Sequence, residues 1–265
     1  AEDDEAVEDL AAAVFDGGKR RVSLQFLNPA NPDFAACRER ARHRDHRVIV
    51  RTLERPPYVR IDGDWEAYES TVDGKIRRDL RRRRRLLEQE GEVTIEVLDG
   101  SERLDSLLDE GFAIEASGWK GELGTAILSS PETRSFYTEV ARWAAGHGWL
   151  RLAFLRLDGR ALAFQCGLED GGTHYFLKGG FDRAFHRFSP GKILVAAMIK
   201  RSFEEGLDLF DFGGEEEPFK LEWANGRREL VLFQGFAPSL LGLIDWSAFA
   251  YARPLAKRAL AFAGR

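Results

Sequence analysis

Three strand-like segments in succession, joined by two glycine-containing turns, constrain the fold more than any other feature of the sequence. The segments are Leu150–Leu157, Arg160–Leu168 and Thr173–Phe181. Asp158-Gly159 lies between the first and the second segment, and Asp170-Gly171-Gly172 lies between the second and the third. Aspartate followed by glycine favours tight hairpin turns. The sequence therefore predicts three consecutive antiparallel strands.

The segments on both sides of these strands predict an α/β fold with a mixed α+β sheet. From residue 92 the expected order is strand, helix, helix, the three strands, helix, strand and strand. The helix after the three strands is expected over Pro190–Glu205, and the last strand over Glu229–Phe236. A long helical region is expected over Asp64–Gly91. Residues 10–61 give helix, strand, helix, strand, the order expected for the remaining half of a similar unit.

Composition and charge exclude several classes of protein. The chain has 265 residues, of which 44% are hydrophobic, so it allows one large or two small domains and is not disordered. No apolar run reaches the roughly 20 residues of a membrane span. Two cysteines cannot make a disulfide scaffold, and no signal peptide is visible, so we expect a cytoplasmic protein. The net charge of −5 argues against specific DNA binding, and no metal-ligand motif predicts a metal site.

The segment Ser189-Pro190-Gly191-Lys192 has the composition of an anion-binding helix start. Ser189 suits the N-cap position, Pro190 suits the first helical position, and Gly191 lets a ligand approach the backbone. Free N–H groups and the positive end of the helix dipole attract a phosphate, and Arg187 and Lys192 add positive charge. An ordinary capped helix explains the same residues. The segment lacks the spacing of a Walker loop.

Several motifs in a fixed order resemble a known superfamily. They are residues 157–164 (LDGRALAF), residues 179–194 (GGFDRAFHRFSPGKIL), residues 206–214 (GLDLFDFGG) and Pro218-Phe219-Lys220. In this order they resemble the GNAT superfamily of N-acyltransferases. More narrowly, they resemble the branch of CelD/BcsL-type proteins, which is related to the FemAB peptidoglycan aminoacyl transferases. The resemblance covers roughly residues 64–235 and is strongest over residues 150–223.

The resemblance divides the chain into three parts. Residues 1–63 are expected to form a partial or degenerate N-terminal GNAT-like unit, residues 64–236 a GNAT-like acyltransferase domain, and residues 237–265 a helical tail. Members of this branch have a fuller N-terminal half, so the resemblance implies a divergent or truncated chain.

The resemblance implies a co-substrate, acyl-CoA or acetyl-CoA, and places its thioester arm between two diverging strands. In this chain the two strands are residues 161–168 and 173–180. The thioester arm cannot lie between them if they pair along their whole length. Backbone N–H groups near the thioester would polarise its carbonyl, as an oxyanion donor does. The residues implied as cofactor-binding are Phe164, Gln165 and Cys166 on the strand, and His186, Arg187, Ser189, Gly191 and Lys192 around the helix start. Acyl carrier protein is an alternative carrier.

Four residues are candidates for catalysis. Asp211 lies between Phe210 and Phe212, which would raise its pKa toward that of a base; its alternative role is to bind the turn that follows. Lys220 matches a lysine that stabilises developing negative charge in FemAB-like proteins, or else lies on the surface. Asp182 either faces the acyl site or orients its loop. His174 has an intrinsic pKa that suits a general base. As a lone histidine on a strand, it has a structural role as its alternative.

Two charged segments suggest partners. Seven arginines between Arg77 and Arg85 either form a solvated helix face or bind an acidic partner such as acyl carrier protein or tRNA. The tail Leu240–Ala263 mixes apolar and basic residues, so it either packs on the protein or contacts a membrane surface, which would make the protein membrane-associated.

These observations favour an N-acyltransferase. It would transfer an acyl group from acyl-CoA or acyl carrier protein to the amine of a small molecule, a lipid or a cell-envelope precursor. One alternative is a FemAB-like transferase that depends on aminoacyl-tRNA. Another is a non-catalytic binding module that keeps the GNAT fold.

Overall fold

A computed structural model describes residues 2–118 and 124–252. The helices of this part are α1 (Glu2–Asp16), α2 (Pro32–His43), α3 (Trp65–Thr71), α4 (Gly74–Glu88), α5 (Leu104–Ala116), α6 (Pro131–Gly146), α7 (Pro190–Glu204), α8 (Pro218–Leu221) and α9 (Leu240–Ser247). The strands are β1 (Arg21–Leu27), β2 (Arg47–Glu54), β3 (Pro57–Arg60), β4 (Val93–Leu98), β5 (Leu150–Leu157), β6 (Arg160–Asp170), β7 (Thr173–Phe181), β8 (Leu209–Asp211), β9 (Gly226–Arg227) and β10 (Leu230–Phe236). Short helical turns cover Ile127–Ser129, Arg183–Phe188 and Ala248–Ala252.

The described residues divide into two compact units. One unit holds residues 2–56 and 228–252, and the other holds residues 57–118 and 124–227. This division differs from the boundaries expected at residues 63 and 236. The reason is β10, which was expected at the end of the acyltransferase domain but is hydrogen-bonded to β1 and β2.

The first unit is built around β10. Its sheet has the order β1-β10-β2, and β10 is antiparallel to both neighbours. Phe233 of β10 is fully buried and meets the rings of Phe15 from α1 and Phe34 from α2 edge-on, with centroids 6.0 and 5.8 Å away. The last of the described strands therefore forms the centre of both the sheet and the core of this unit.

The second unit contains a seven-stranded mixed sheet. Its order is β4-β5-β6-β7-β8-β3-β9. β4 to β7 form an antiparallel meander, β7 and β8 are parallel, and β3 is antiparallel to β8 and β9. The structure thus confirms the expected α/β class, with its mixed sheet, and the three consecutive antiparallel strands.

Helices cover both faces of this sheet. On one face, Leu194, Met198 and Ile199 of α7 are almost completely buried. On the other face, Phe112 of α5 packs edge-on against Phe164 of β6, with ring centroids 6.5 Å apart. Full burial of each large apolar side chain contributes roughly 1.5–3 kcal/mol. The central strands β5 and β6 are therefore held between two apolar layers.

The long helical region expected over residues 64–91 is interrupted. α3 ends at Thr71 and α4 begins at Gly74, because Val72 is extended and Asp73 caps the second helix. The Asp73 carboxylate accepts a hydrogen bond from the backbone N–H of Lys75 at 2.6 Å. Aspartate satisfies N–H groups at a helix start, so it separates two helices whose periodicity alone looks continuous.

The described part of the tail packs partly on the first unit. Phe249 contacts Phe236 of β10, with ring centroids 5.6 Å apart, whereas Leu240, Leu241 and Ile244 on α9 are mostly exposed. Residues 253–265 lie outside the described residues. Within the described part of the chain, no helix combines the length and the hydrophobicity required to cross a bilayer.

Candidate functional site

The sheet of the second unit opens where β7 and β8 part. The two strands pair in parallel at Thr173↔Leu209, His174↔Phe210 and Tyr175↔Asp211. The chain then turns away at Gly213 and Gly214, whose φ angles of 57° and 55° favour glycine. β7 continues to Phe181 without β8 beside it. An opening therefore lies beside the second half of β7.

The opening expected between residues 161–168 and 173–180 does not exist. β6 and β7 pair from Ala163↔Phe181 to Asp170↔Thr173, with one irregularity between Cys166 and Gly167. The tight turn between the two strands sets an antiparallel register that continues to the end of β7. The sheet opens instead on the other edge of β7, where its neighbour β8 has only three residues.

A cavity of about 230 Å³ occupies this opening. Its lining comes from β6, β7, α5, α7 and the segment around α8. The lining residues are Glu115, Gly118, Phe164, Gln165, Phe176, Gly179, Gly180, Phe181, Gly191, Lys192, Leu194, Val195, Glu217 and Phe219. The cavity is mainly apolar, with four charged or amide side chains among the residues around it. Ligand sites in proteins commonly have this composition.

The start of α7 forms part of the cavity wall. A Cβ atom on Gly191 would lie 3.1 Å from the ring of Phe181, so the helix backbone comes close to β7 here. Ser189 occupies the expected N-cap position with a left-handed φ of 49°, but its side chain makes no cap hydrogen bond. Its carbonyl oxygen accepts the N–H groups of Lys192 and Ile193 at 3.0 and 3.2 Å.

A groove with positive charge lies next to this helix start. It is lined by five cationic side chains, Lys75, Arg78, Arg82, Arg83 and Lys192, and by two acidic ones, Asp79 and Glu222. Lys192 lines both the groove and the cavity. Arg83 of α4 donates to the carbonyl oxygen of Arg187 at 2.6 Å, which connects α4 to the helical turn before α7.

Comparison with known families decides what this fold is. The model of the acetyltransferase (GNAT) domain matches residues 74–221, which is more than half of the chain. The chain belongs to the GNAT acetyltransferase family. The matched segment contains the sheet opening, the start of α7 and the strands that line the cavity. A comparison with curated protein sequences gives no match.

Solved structures share the GNAT fold of this chain at low sequence identity. One is the C-terminal domain (DUF2156) of a candidate lysylphosphatidylglycerol synthetase from Agrobacterium fabrum, with a TM-score of 0.59 and 16% identity over 93% of this chain and 76% of that one. Another is FemX, with a TM-score of 0.57 and 13% identity over 85% of this chain and 75% of that one. A third is a conserved protein of unknown function from Bacteroides thetaiotaomicron, with a TM-score of 0.56 and 12% identity over 88% of this chain and 75% of that one.

Four of the residues expected to bind the cofactor line the cavity of this GNAT domain. They are Phe164, Gln165, Gly191 and Lys192. Cys166 instead lies in the apolar core with α5, and burial raises the pKa of its thiol to about 12. At neutral pH this thiol is protonated, so it is not prepared to act as a nucleophile.

The expected phosphate-binding cations are already paired with acids. Lys192 contacts both carboxylate oxygens of Glu222 at 2.6 and 2.7 Å, and Arg187 contacts Glu90 at 3.1 Å. His186 is exposed, and its Nδ1 lies 3.1 Å from the carbonyl oxygen of Arg183. Exposed ion pairs contribute only about 0–1 kcal/mol, so an incoming phosphate can replace them.

Asp211 and Lys220 organise the turn beyond β8. The Asp211 carboxylate accepts the N–H of Gly213 at 2.9 Å. The Lys220 ammonium is almost fully buried and donates to the carbonyl oxygens of Gly213 and Glu215 at 2.9 and 3.3 Å, and it pairs with Glu217 at 2.8 Å. These contacts fix the segment that brings Glu217 to the cavity.

Asp182 and His174 also make defined contacts. Asp182 accepts the N–H of Ala184 at 2.9 Å and pairs with Arg160 at 2.6 Å, so it orients the loop before α7. His174 is completely buried, stacks on Phe210 and contacts Gln165 and Glu169. Trp119, an aromatic residue expected either to line the acceptor pocket or to anchor the core, lies outside the described residues.

Glu115 is a cavity residue that the sequence analysis did not single out. Its side chain is buried, accepts the N–H of Ile127 at 2.8 Å and lies 4.0 Å from the ammonium of Lys178. A Cβ atom on Gly180 would lie 2.5 Å from the Cα of Glu115, so this glycine lets α5 rest directly on β7. Leu108, Phe112 and Glu115 share one helix face, and a carboxylate on that apolar face was the available signal.

The described residues, 2–118 and 124–252, contain no group of three or more metal-ligating side chains that could hold a metal ion.

Proposed function

We propose that this GNAT domain is an N-acyltransferase whose acyl donor enters the cavity beside β7. The observation that carries the proposal is the combination of a sheet opening and a helix start in one cavity. The open half of β7 offers an extended backbone to a linear arm, and the start of α7 offers a positive dipole end to a phosphate. Acyl-CoA or acetyl-CoA carries both groups, as does the phosphopantetheine arm of acyl carrier protein.

The reaction proposed is the aminolysis of a thioester. A neutral amine attacks the carbonyl carbon, the bond from carbon to sulfur breaks, the thiolate leaves on its carrier, and the amine proton passes to a base or to water. Positioning and carbonyl polarisation supply the rate gain. Glu115 and Glu217 are the carboxylates that line the cavity. We assign Asp211, Lys220 and Asp182 to positioning its walls.

A donor panel tests the proposal. Acetyl-CoA, a long-chain acyl-CoA, an acylated carrier protein and an aminoacyl-tRNA are each added to the full chain, and the melting temperature is measured. A ligand at 100 times its dissociation constant stabilises the folded state by about 2.7 kcal/mol. We expect a thioester donor to raise the melting temperature.

A glycine substitution shows whether binding uses the cavity. Gly191→Leu fills the space next to Phe181 and is expected to abolish the thermal shift. Gly146→Leu is the matched control, because a Cβ atom on Gly146 meets no atom within 4 Å. A donor that stabilises Gly191→Leu as strongly as the control does not bind in this cavity. A chain that transfers no acyl group from any member of the panel to an amine would instead be a non-catalytic binding module with a GNAT fold.

A FemAB-like, aminoacyl-tRNA-dependent transferase is the second candidate. The basic groove that shares Lys192 with the cavity favours it, because a polyanion would follow such a groove. The fold similarity to FemX is consistent with it. Stabilisation by aminoacyl-tRNA but not by any thioester would select this donor. The acceptor class, an amine of a small molecule, lipid or cell-envelope precursor, is common to both candidates, as is a cytoplasmic location.

A further inference from the structure

A buried chain of polar side chains leads from Glu169 to the cavity. Glu169 pairs with Arg151 at 2.6 Å and also with Arg201. Nδ1 of His174 lies 2.9 Å from the Glu169 carboxylate, and Nε2 of His174 lies 2.8 Å from the amide nitrogen of Gln165. Gln165 lines the cavity and is only 1% exposed.

The protonation states along this chain follow from its charges. Burial alone would raise the pKa of Glu169, but hydrogen bonds from His174 and Arg201 outweigh it and lower the pKa to about 2. Glu169 is therefore a carboxylate that only accepts hydrogen bonds. Burial lowers the pKa of His174, so its ring is neutral at pH 7 and carries one proton. That proton lies on Nδ1, where it is donated to Glu169.

The histidine tautomer determines the orientation of the Gln165 amide. With the proton on Nδ1, Nε2 of His174 is an acceptor, and it receives a hydrogen bond from the Gln165 NH2 group. The carbonyl oxygen of Gln165 then points away from His174. This oxygen is buried and has no hydrogen-bond partner among the described residues. Buried acceptors are normally satisfied, so this group requires a donor.

We propose that Gln165 is a substrate-binding residue whose carbonyl oxygen accepts a hydrogen bond from an N–H group of the ligand in the cavity. Glu169 and His174 act as positioning residues that prevent the amide from turning over. The proposal rests on the cavity being the acyl-transfer site. Two sources supply such an N–H group: an amide of the donor's arm, or the amine of the acceptor.

Three small probes of similar size distinguish these sources. N-methylacetamide represents the amide of the donor arm, n-butylammonium represents the acceptor, and methyl acetate lacks an N–H group. Binding is followed by NMR through the labelled side-chain amide of Gln165. We expect one N–H probe to bind about threefold to tenfold more tightly than methyl acetate. The N–H probe that binds more tightly than methyl acetate identifies the source of the N–H group.

Two variants assign the preference to the side chain. Gln165→Met keeps the volume and removes the acceptor, so it should abolish the preference, with binding then followed by backbone amide signals of β7. Gln234→Met is the matched control. Gln234 is a buried glutamine on β10 whose carbonyl oxygen also has no partner within the described residues, and it does not line the cavity. The control should keep the preference.

The ring nitrogens of His174 give an independent readout. In 15N spectra at pH 7 we expect the proton on Nδ1. A proton on Nε2 would overturn the proposal, because the Gln165 NH2 group and not its carbonyl would then be unpaired. Equal affinities for the three probes, or no response of Gln165 to any of them, would overturn it as well. If acyl-CoA fails to bind while an N–H probe is preferred, the proposed donor is wrong and the role of Gln165 stands.

Discussion

Glu169 is a buried carboxylate that binds two arginines and a histidine. It receives Arg151, Arg201 and His174, and its own side chain is only 8% exposed. The pKa values of Glu169 and His174 are both lower in the folded chain than in the unfolded chain. Each therefore contributes stability that is present above its unfolded pKa and is lost as the pH falls through its folded pKa.

We predict that the free energy of unfolding decreases on acidification. The loss begins near the ordinary pKa of histidine and continues through the interval between pH 4.5 and about 2 set by Glu169. Glu169→Gln should lower the free energy of unfolding at pH 7 by about 3 kcal/mol, because it removes the buried carboxylate that pairs with the partly buried Arg151 and Arg201. Urea titrations between pH 3 and pH 8 measure both effects. If the free energy of unfolding of Glu169→Gln falls with pH as steeply as that of the unchanged chain, Glu169 is not the source of the acid sensitivity.

Local sequence signals identified only part of the site. The resemblance to the GNAT superfamily implied Phe164 and Gln165 on the strand and Gly191 at the helix start, and all three line the cavity. Glu115 was missed, because its place in the site depends on how α5 rests on Gly180 of a distant strand. Lys220 was expected as a catalytic or surface group, because no local pattern indicates the backbone carbonyls that accept hydrogen bonds from its ammonium.

At the scale of elements, α4 presents its arginines in two ways. Arg83 is half-buried and tied to the loop before α7, whereas Arg78 and Arg82 are exposed and line the groove. The break before α4 is caused by a single capping aspartate, Asp73, which periodicity does not show.

We predict that the double variant Arg78→Gln, Arg82→Gln weakens binding of a polyanion. Each phosphate contact that is lost reduces the slope of log affinity against log salt by about 0.7–0.9. The change in slope is therefore expected to be between about 1 and 2, measured with bulk tRNA between 50 and 200 mM salt. Arg134→Gln, Arg142→Gln is the control on α6, where the arginines are similarly exposed. An identical slope in both double variants would reject the groove as a polyanion site.

At the scale of the whole molecule, the second unit is one continuous stretch inserted into the first. The first unit is interrupted after residue 56 and resumes at residue 228. The ends of the inserted stretch meet in the sheet, since Pro57 pairs with Arg227. Pairing of β10 with β1 and β2 joins residues far apart in sequence, so the order of motifs, which put this strand in the acyltransferase domain, does not show its sheet.

We predict that residues 57–227 fold without the rest of the chain. This stretch contains every described residue of the seven-stranded sheet and of the cavity. It should unfold cooperatively in circular dichroism and show the same thermal response to donors as the full chain. Residues 1–56 alone should stay unfolded, because they lack the central strand of their sheet. Non-cooperative melting of the 57–227 fragment would contradict the prediction.

The central position of β10 also determines the order of events on the ribosome. β1 and β2 are made early, and about 175 residues separate the end of β2 from the start of β10. At about 5–20 residues per second, synthesis of that stretch takes roughly 10–35 s. Throughout this interval the nascent chain carries two strands whose shared neighbour has not been translated. Unpaired strand edges associate readily, so this waiting period is the stage at which a chaperone would benefit the protein most.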